Sequence, residues 1–208
     1  MQVNQGIYCG AFPCEDINVA GHYVPGAVSN PERVRVVLIS ECAAADPADN
    51  YYAPGDPLFA RTTVQAFQDA GVDVHSIQDI LDRGVYLTTA VKCAKLGYAI
   101  GRQTILACSE LLERELDLFP HVRAYLLMGD VAITAVNAIA RRRGEGRVIP
   151  AGPTYKLRGG DFTFRGARAF PSYLQAGPSF FIEKSKRRMI AEDIAAALAV
   201  AELEAVGA

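Results

Sequence analysis

The sequence predicts an α/β protein, with a mainly parallel central sheet between two layers of helices (three-layer αβα). Three observations carry this. Short apolar runs recur along the chain, as in strands buried on both faces of a sheet. Longer segments between them space their apolar residues three and four apart, the helical period. The two kinds alternate, and glycine or proline marks the turns between them.

Each element has its own reason. Residues 34–39 read as a strand because Val36, Val37, Leu38 and Ile39 form an unbroken apolar run. Thr62–Ala70 reads as a helix with Val64, Phe67 and Ala70 on one face, closed by Gly71. Val85–Val91 is a second apolar run. Arg102–Leu118 carries Ile105, Cys108, Leu111, Leu112 and Leu116 as a helical stripe. Ala124–Met128 is a third strand, and Gly129 turns it into a helix over Val131–Arg143. Phe162–Phe164 and Ala167–Pro171 make a strand pair joined at Gly166, and Lys184–Ala205 is a long final helix. The glycine-rich, basic stretch 141–160 is the candidate mobile loop.

Composition narrows the class. The 208 residues suit a single domain over 1–208, with half of them hydrophobic and a fifth charged. MQVNQGIYCG has neither a basic start nor an apolar run, and no stretch approaches the roughly 18 apolar residues of a membrane span. A cytoplasmic protein, and a monomer, is expected. A net charge of −2 does not advertise a nucleic-acid binder, although a local basic patch can serve. Five cysteines without an export signal read as reduced thiols or metal ligands.

The first strand then raises a question. It ends in Ser40 and Glu41, followed by Cys42, three alanines and Asp46. In open α/β sheets ligands bind beyond the carboxyl ends of strands, the edge where Glu41, Thr88–Thr89, Gly129–Asp130 and Phe170–Ser172 fall. A carboxylate there can stabilise positive charge or orient a water, and small neighbours leave room for a ligand.

Taken together these strand ends resemble the uracil-DNA glycosylase superfamily, nearest to its iron–sulfur (family 4-like) branch, from about Cys14 to about Leu198. The family's Gly-Glu-(Gly/Ala)-Pro-Gly loop is similar to Ser40-Glu41-Cys42-Ala43-Ala44. Its Ile-Thr-Asn-Val-Val-Lys-Cys strand resembles Leu87-Thr88-Thr89-Ala90-Val91-Lys92-Cys93. A second cysteine follows in the next helix, as Cys108 does, and LMGDVAITAV (127–136) resembles the next strand-to-helix turn. The final His-Pro-Ser is Phe170-Pro171-Ser172 here, followed by Tyr173-Leu174.

The resemblance implies a fold, an activity and roles. A DNA glycosylase cuts the bond between base and sugar through a cation-like sugar, on a flipped-out nucleotide. Glu41 is the implied catalytic carboxylate, with Asp46 and Asp49 as alternates. Ser40, Cys42 and Ala43 are expected to line the base pocket, with backbone N–H groups approaching the base. Phe59, or alternatively Tyr52, is expected to stack on the base. Thr89 stands where the family has a base-reading asparagine. Phe170 stands where a histidine donates to the departing base, and losing such a donor typically costs roughly 2.7–4 kcal/mol in the transition state. Ser172 or Tyr173 is the candidate substitute, and Phe170→His is expected to raise excision.

Cofactor and DNA contacts follow the same resemblance. Cys93 and Cys108 fall at two of the branch's four cluster positions and Cys14 near a third; Ile17 occupies the position expected for the fourth, which Cys9 could supply. The implied cofactor is a structural [4Fe–4S] cluster; the alternative is buried free thiols. Lys184, Lys186 and Arg187, with Arg188, are candidate phosphate contacts, and Leu174 or Tyr173 the candidate wedge entering the duplex. Arg141, Arg142, Arg143 and Arg147 read as a solvated helix end. His22, His75 and His121 read as surface or structural residues. No lysine is evident in the active-site motifs as a Schiff-base nucleophile, so monofunctional hydrolysis of a deaminated base, with uracil foremost, in DNA is expected. The rivals are a nucleic-acid-binding module that barely cleaves and an α/β hydrolase of free nucleosides.

Overall fold

The computed structural model describes residues 3–4, 6–26 and 30–203. Its elements, in chain order, are β1 (Ile17–Asn18), β2 (Val36–Cys42), α1 (Leu58–Asp69), α2 (Ile77–Asp82), β3 (Val85–Val91), β4 (Ala94–Lys95), α3 (Arg102–Leu116), β5 (Ala124–Met128), α4 (Asp130–Arg142), α5 (Thr154–Leu157), β6 (Thr163–Phe164), β7 (Ala167–Ser172), α6 (Ser179–Ile182) and α7 (Lys184–Leu203).

The central sheet runs β3-β2-β5-β7-β6. All its pairings are parallel except β6 with β7, which turn back on each other through Arg165–Gly166. Alternation along the strands splits the core in two. Val37, Ile39, Tyr125 and Leu127 face α3 and α4, whereas Val36, Leu38, Leu126 and Phe170 face α1, α2 and α7. Helices therefore cover both faces, and the apolar runs are buried on both sides, as the three-layer α/β reading expects.

This order creates a switch point. From β2 the chain crosses by α1 and α2 to β3 on one side, while β5 pairs on the other side of β2 and leads by α4 to β7. The two crossovers lie on opposite faces, so a crevice opens beyond the carboxyl ends of β2 and β5. Glu41 belongs to the end of β2 and Gly129 follows β5. Gly129 has φ +95 and a Cβ there would lie 3.8 Å from that of Leu174. Backbone conformation, more than crowding, calls for glycine.

Several elements differ from expectation. The helix α2 is anchored by a capping box between Ser76 and Asp79. A small antiparallel ribbon, β1 with β4, pairs Ile17 with Lys95 and Asn18 with Ala94. The stretch 141–160 is held at two points. Asn137 brackets the backbone of Ile149 with two 3.0 Å bonds, and Arg158 pairs with Asp193 of α7 at 2.9 Å.

Beneath the sheet lies a polar knot. Lys92 and Glu115 are both fully buried and paired. The Lys92 ammonium also donates to Thr88 Oγ1 (2.8 Å) and the Thr89 carbonyl (2.6 Å), so all three of its protons are used. Glu115 accepts from Tyr86 and Thr88 as well. Lys92→Met leaves Glu115 buried without its cation, and is expected to cost about 3–5 kcal/mol in denaturant unfolding. Adding Glu115→Gln, which keeps an acceptor for Tyr86 but no charge, is expected to recover a large share.

Candidate active site

A cleft of about 430 Å³ opens at the switch point, lined among others by Glu41, Cys42, Ala43, Asp46, Phe59 and Leu174. With Asp49, which also lines it, the cleft gathers seven of the residues singled out by sequence. Glu41 is one-fifth exposed at its side chain and meets Lys95 Nζ at 3.1 Å. Phe59 enters from the first turn of α1, its ring 5.4 Å from that of Tyr51. The loop from Ala43 to Asn50 owes its shape to short side chains bonding backbone. Asp46 caps a 3-10 turn through Ala48 N–H (2.9 Å), Asn50 Oδ1 accepts from Ala44 N–H (2.9 Å), and Asp49 accepts from Leu58 N–H (3.0 Å) at the head of α1.

Other expectations are corrected. Ser40 lies behind the cleft wall. Its hydroxyl bonds to Tyr51, and Gln175 Nε2 donates to Ser40 (3.1 Å), Tyr51 (2.8 Å) and Thr63 (3.3 Å). Tyr52 closes the edge of β3, donating its hydroxyl proton to Leu87 O (2.9 Å) and accepting from Leu87 N–H (3.2 Å). The N–H of Ala43 is bonded to Val91 O (3.1 Å), so that N–H, like that of Ala44, is already committed. Burial, and then the Glu41 charge, push the Cys42 thiol up to about 11, which keeps it neutral.

The last motif also sits differently. Phe170 pairs in register with Leu126 inside the sheet and packs into the core facing α7, with the Arg168 guanidinium 5.4 Å from its ring centre. It is absent from the cleft wall. Ser172 is fully buried and donates to Asp193, which holds β7 to α7 and leaves no hydroxyl for a ligand. Thr89 is buried beside Ser40 in register, and its hydroxyl has no partner among the described residues.

The basic residues divide by their partners. Arg187 is clamped by Asp69 of α1, with one contact of 2.7 Å, and lies 5.2 Å from the Phe180 ring, so it ties α7 to α1. Lys186 pairs with Glu183 (2.8 Å) and approaches the Tyr173 ring at 5.5 Å; Lys184 is exposed. Arg142 bonds Glu113 and Ser109 of α3. His75 and His121 are surface residues paired with Asp73 and Glu32.

The four predicted cysteines meet. Cys9, Cys14, Cys93 and Cys108 line one cavity of about 370 Å³ with Phe12 and His22. None forms a disulfide. Two sulfurs accept backbone N–H bonds, Cys9 from Phe12 (3.3 Å) and Cys108 from Lys92 (3.1 Å). His22 Nδ1 lies 3.5 Å from Cys93 Sγ. Burial, then repulsion from Cys108, Cys9 and Cys14, push the Cys93 thiol up to about 12. Among the described residues no three of His, Cys, Asp or Glu converge closely enough for a single metal ion. Sulfurs on a cubane stand further apart, on separate irons, so this spacing bears on one ion and not on a cluster.

Sequence reading missed Lys92, Lys95, Asn50, Gln175 and His22. Only Lys92 carried a signal, as the motif lysine before Cys93; the others lie in loops or short ribbons without periodicity.

No family model matches the chain. Over 77 residues it is 38% identical to a type-5 uracil-DNA glycosylase of Thermus thermophilus, a stretch covering 37% of this chain and 35% of that protein. The match therefore spans about a third of the relative's length. The wild-type UNG crystal structure from Nitratifractor salsuginis is 15% identical, with a TM-score of 0.41 over 81% of this chain and 74% of that one, a likeness too loose to bear on fold or function. The first match bears out the resemblance to the uracil-DNA glycosylase superfamily carried by the strand-end motifs.

The position of Phe170 reverses one expectation. An imidazole there enters an apolar core beside the Arg168 guanidinium. Phe170→His is expected to lose roughly 1–3 kcal/mol in urea unfolding and to gain no excision activity. Faster excision by this variant would place residue 170 against the departing base after all.

Proposed function

We propose that the chain is a DNA N-glycosylase that excises a deaminated base, uracil first among them, by hydrolysis of the N-glycosidic bond without strand cleavage, as in base excision repair. The observation that carries this reading is Glu41: a carboxylate at the crevice of a parallel sheet, walled by small residues, in a chain similar to uracil-DNA glycosylases. A base flipped into the cleft stacks on Phe59. Glu41 faces the sugar, where its charge stabilises the developing cation and orients the attacking water. Thr89, like Phe170, is absent from the cleft wall, and its buried hydroxyl has no partner among the described residues. Leu174, on the cleft wall, enters the duplex, and Lys184 meets phosphate.

The cysteine cavity suits a [4Fe–4S] cluster. Burial, and then the neighbouring cysteines, push the Cys93 thiol up, and burial raises Cys108 as well, whereas iron would supply the charge that lets thiolates form there, and two backbone N–H groups already point at sulfur. Its role is structural: it pins residues 9–14 to β3 and α3.

One observation favours a second reading, a nucleic-acid-binding module that barely cleaves. No histidine lines the cleft, so nothing of that kind meets the departing base.

Labelled single- and double-stranded oligonucleotides carrying uracil, hypoxanthine or xanthine decide between them by alkali-revealed cleavage at the modified site. Excision is expected from wild type, and Glu41→Gln is expected to fold, bind and lose at least about 100-fold in rate. Binding with no excision of any of the three bases would favour the second reading. Protein purified without oxygen is expected to be brown, with about four irons per chain, and Cys93→Ser to be colourless and less stable; folded, iron-free wild type would defeat the cluster.

A further inference from the structure

Lys95 is a cation inside the cleft that no motif announces. Its ammonium lies 3.1 Å from Glu41 Oε1 and 6.0 Å from the centre of the Tyr98 ring, and its charge also bears on the Cys42 thiol beside Glu41. The ribbon fixes its backbone. Lys95 pairs with Ile17, and the next residue, Leu96, donates its N–H to Asp16 O at 3.0 Å. The side chain is less confined, one-third exposed on a flexible four-carbon stem. Beyond it the loop is open to solvent, with Tyr98 98% exposed.

This pairing conflicts with the role proposed for Glu41. A carboxylate paired with an ammonium at 3.1 Å presents a dipole, whose field falls faster with distance than that of a free charge. The ammonium also repels a sugar cation. Glu41 can act fully only once Lys95 has left it. The group able to draw a lysine away is an anion, and DNA brings one with every nucleotide, the backbone phosphate. A free nucleoside brings none.

We propose, on the glycosylase reading, that Lys95 determines specificity for nucleotides within a strand. In the empty cleft it neutralises Glu41. A phosphate flanking the flipped nucleotide takes the ammonium over, and the carboxylate is released to face the sugar. The cleft is thereby switched on by the polymer backbone, independently of which base is bound.

Single-turnover excision is measured on oligonucleotides in which each phosphate flanking the target is replaced in turn by an uncharged methylphosphonate. Wild type is expected to lose roughly tenfold or more at one of the two linkages, the scale of one charge-assisted hydrogen bond. Lys95→Met, which keeps the apolar stem, is expected to be indifferent to that replacement and to discriminate less against free deoxyuridine. Lys95→Arg is expected to restore sensitivity. An unchanged wild-type rate at both linkages, or a Lys95→Met enzyme that loses as much as wild type, overturns the proposal. Wild type that excises nothing from any all-phosphate oligonucleotide defeats the glycosylase reading instead. Fluorescence anisotropy on the same oligonucleotides then decides for Lys95: a methylphosphonate penalty on affinity in wild type and none in Lys95→Met supports the phosphate contact, and equal penalties overturn it.

Discussion

Residue 92 is where the protein's parts are joined. The Lys92 side chain binds Glu115 of α3 and two threonines of β3. Its N–H reaches the sulfur of Cys108, and its carbonyl accepts from Tyr23 N–H at 2.6 Å. One residue thus links the sheet edge, a helix of the opposite layer, the cysteine cavity and the N-terminal segment. Burying this charge is tolerable only because every proton of the ammonium has an acceptor, and Glu115 is tolerable only because Lys92 is there. Such a pair adds little net stability over an apolar core. It does admit a single register between β3 and α3, since sliding either element by one residue would leave a buried charge alone.

That register carries outward to the cleft. Cys93 follows Lys92, and Ala94–Lys95 pair with Ile17–Asn18, just past Cys14. Asp16 accepts from Gly101 N–H and from the Thr104 hydroxyl, and these bonds, with burial opposing them, leave its carboxyl below the usual range. The thiols therefore act on the site at one remove. Whatever fixes the four sulfurs also fixes the ribbon, and the ribbon sets the reach of Lys95 to Glu41. This gives the cysteine segment a mechanical reason to exist, separate from any electron transfer.

The fold was legible because its strands are buried on both faces. Val85–Val91 and Ala124–Met128 coincide with their apolar runs to the residue, since charge is excluded along their whole length. The beginning of α1 was not legible: it starts at Leu58, before the apolar stripe, because Asp49 caps it from across a loop. The helix α2 is short, and its one local signal is the Ser76-x-x-Asp79 capping box. At the site, Glu41, Phe59 and Leu174 were readable as residues flanking strand ends. Phe170 and Ser172 were misplaced because β7 runs to Ser172, further than its apolar residues suggest, and the strand alternation turns both side chains toward the α7 layer. Gln175 and Asn50 left no trace, because what they do depends on three-way contacts that only the folded chain brings together.

The cleft that results is electrostatically one-sided. One wall has the Glu41 carboxylate paired with the Lys95 ammonium. The rest of the wall has the aromatic face of Phe59, the neutral thiol of Cys42, alanines, and Asp46 and Asp49, which bond backbone N–H groups, while Phe170 and Ser172 are committed to the core. For a reaction that separates a sugar cation from a base anion, such a site favours one half of the charge separation. On the glycosylase reading proposed above, catalysis would lean on the sugar cation more than on the leaving group, which gives the Glu41–Lys95 pair its weight.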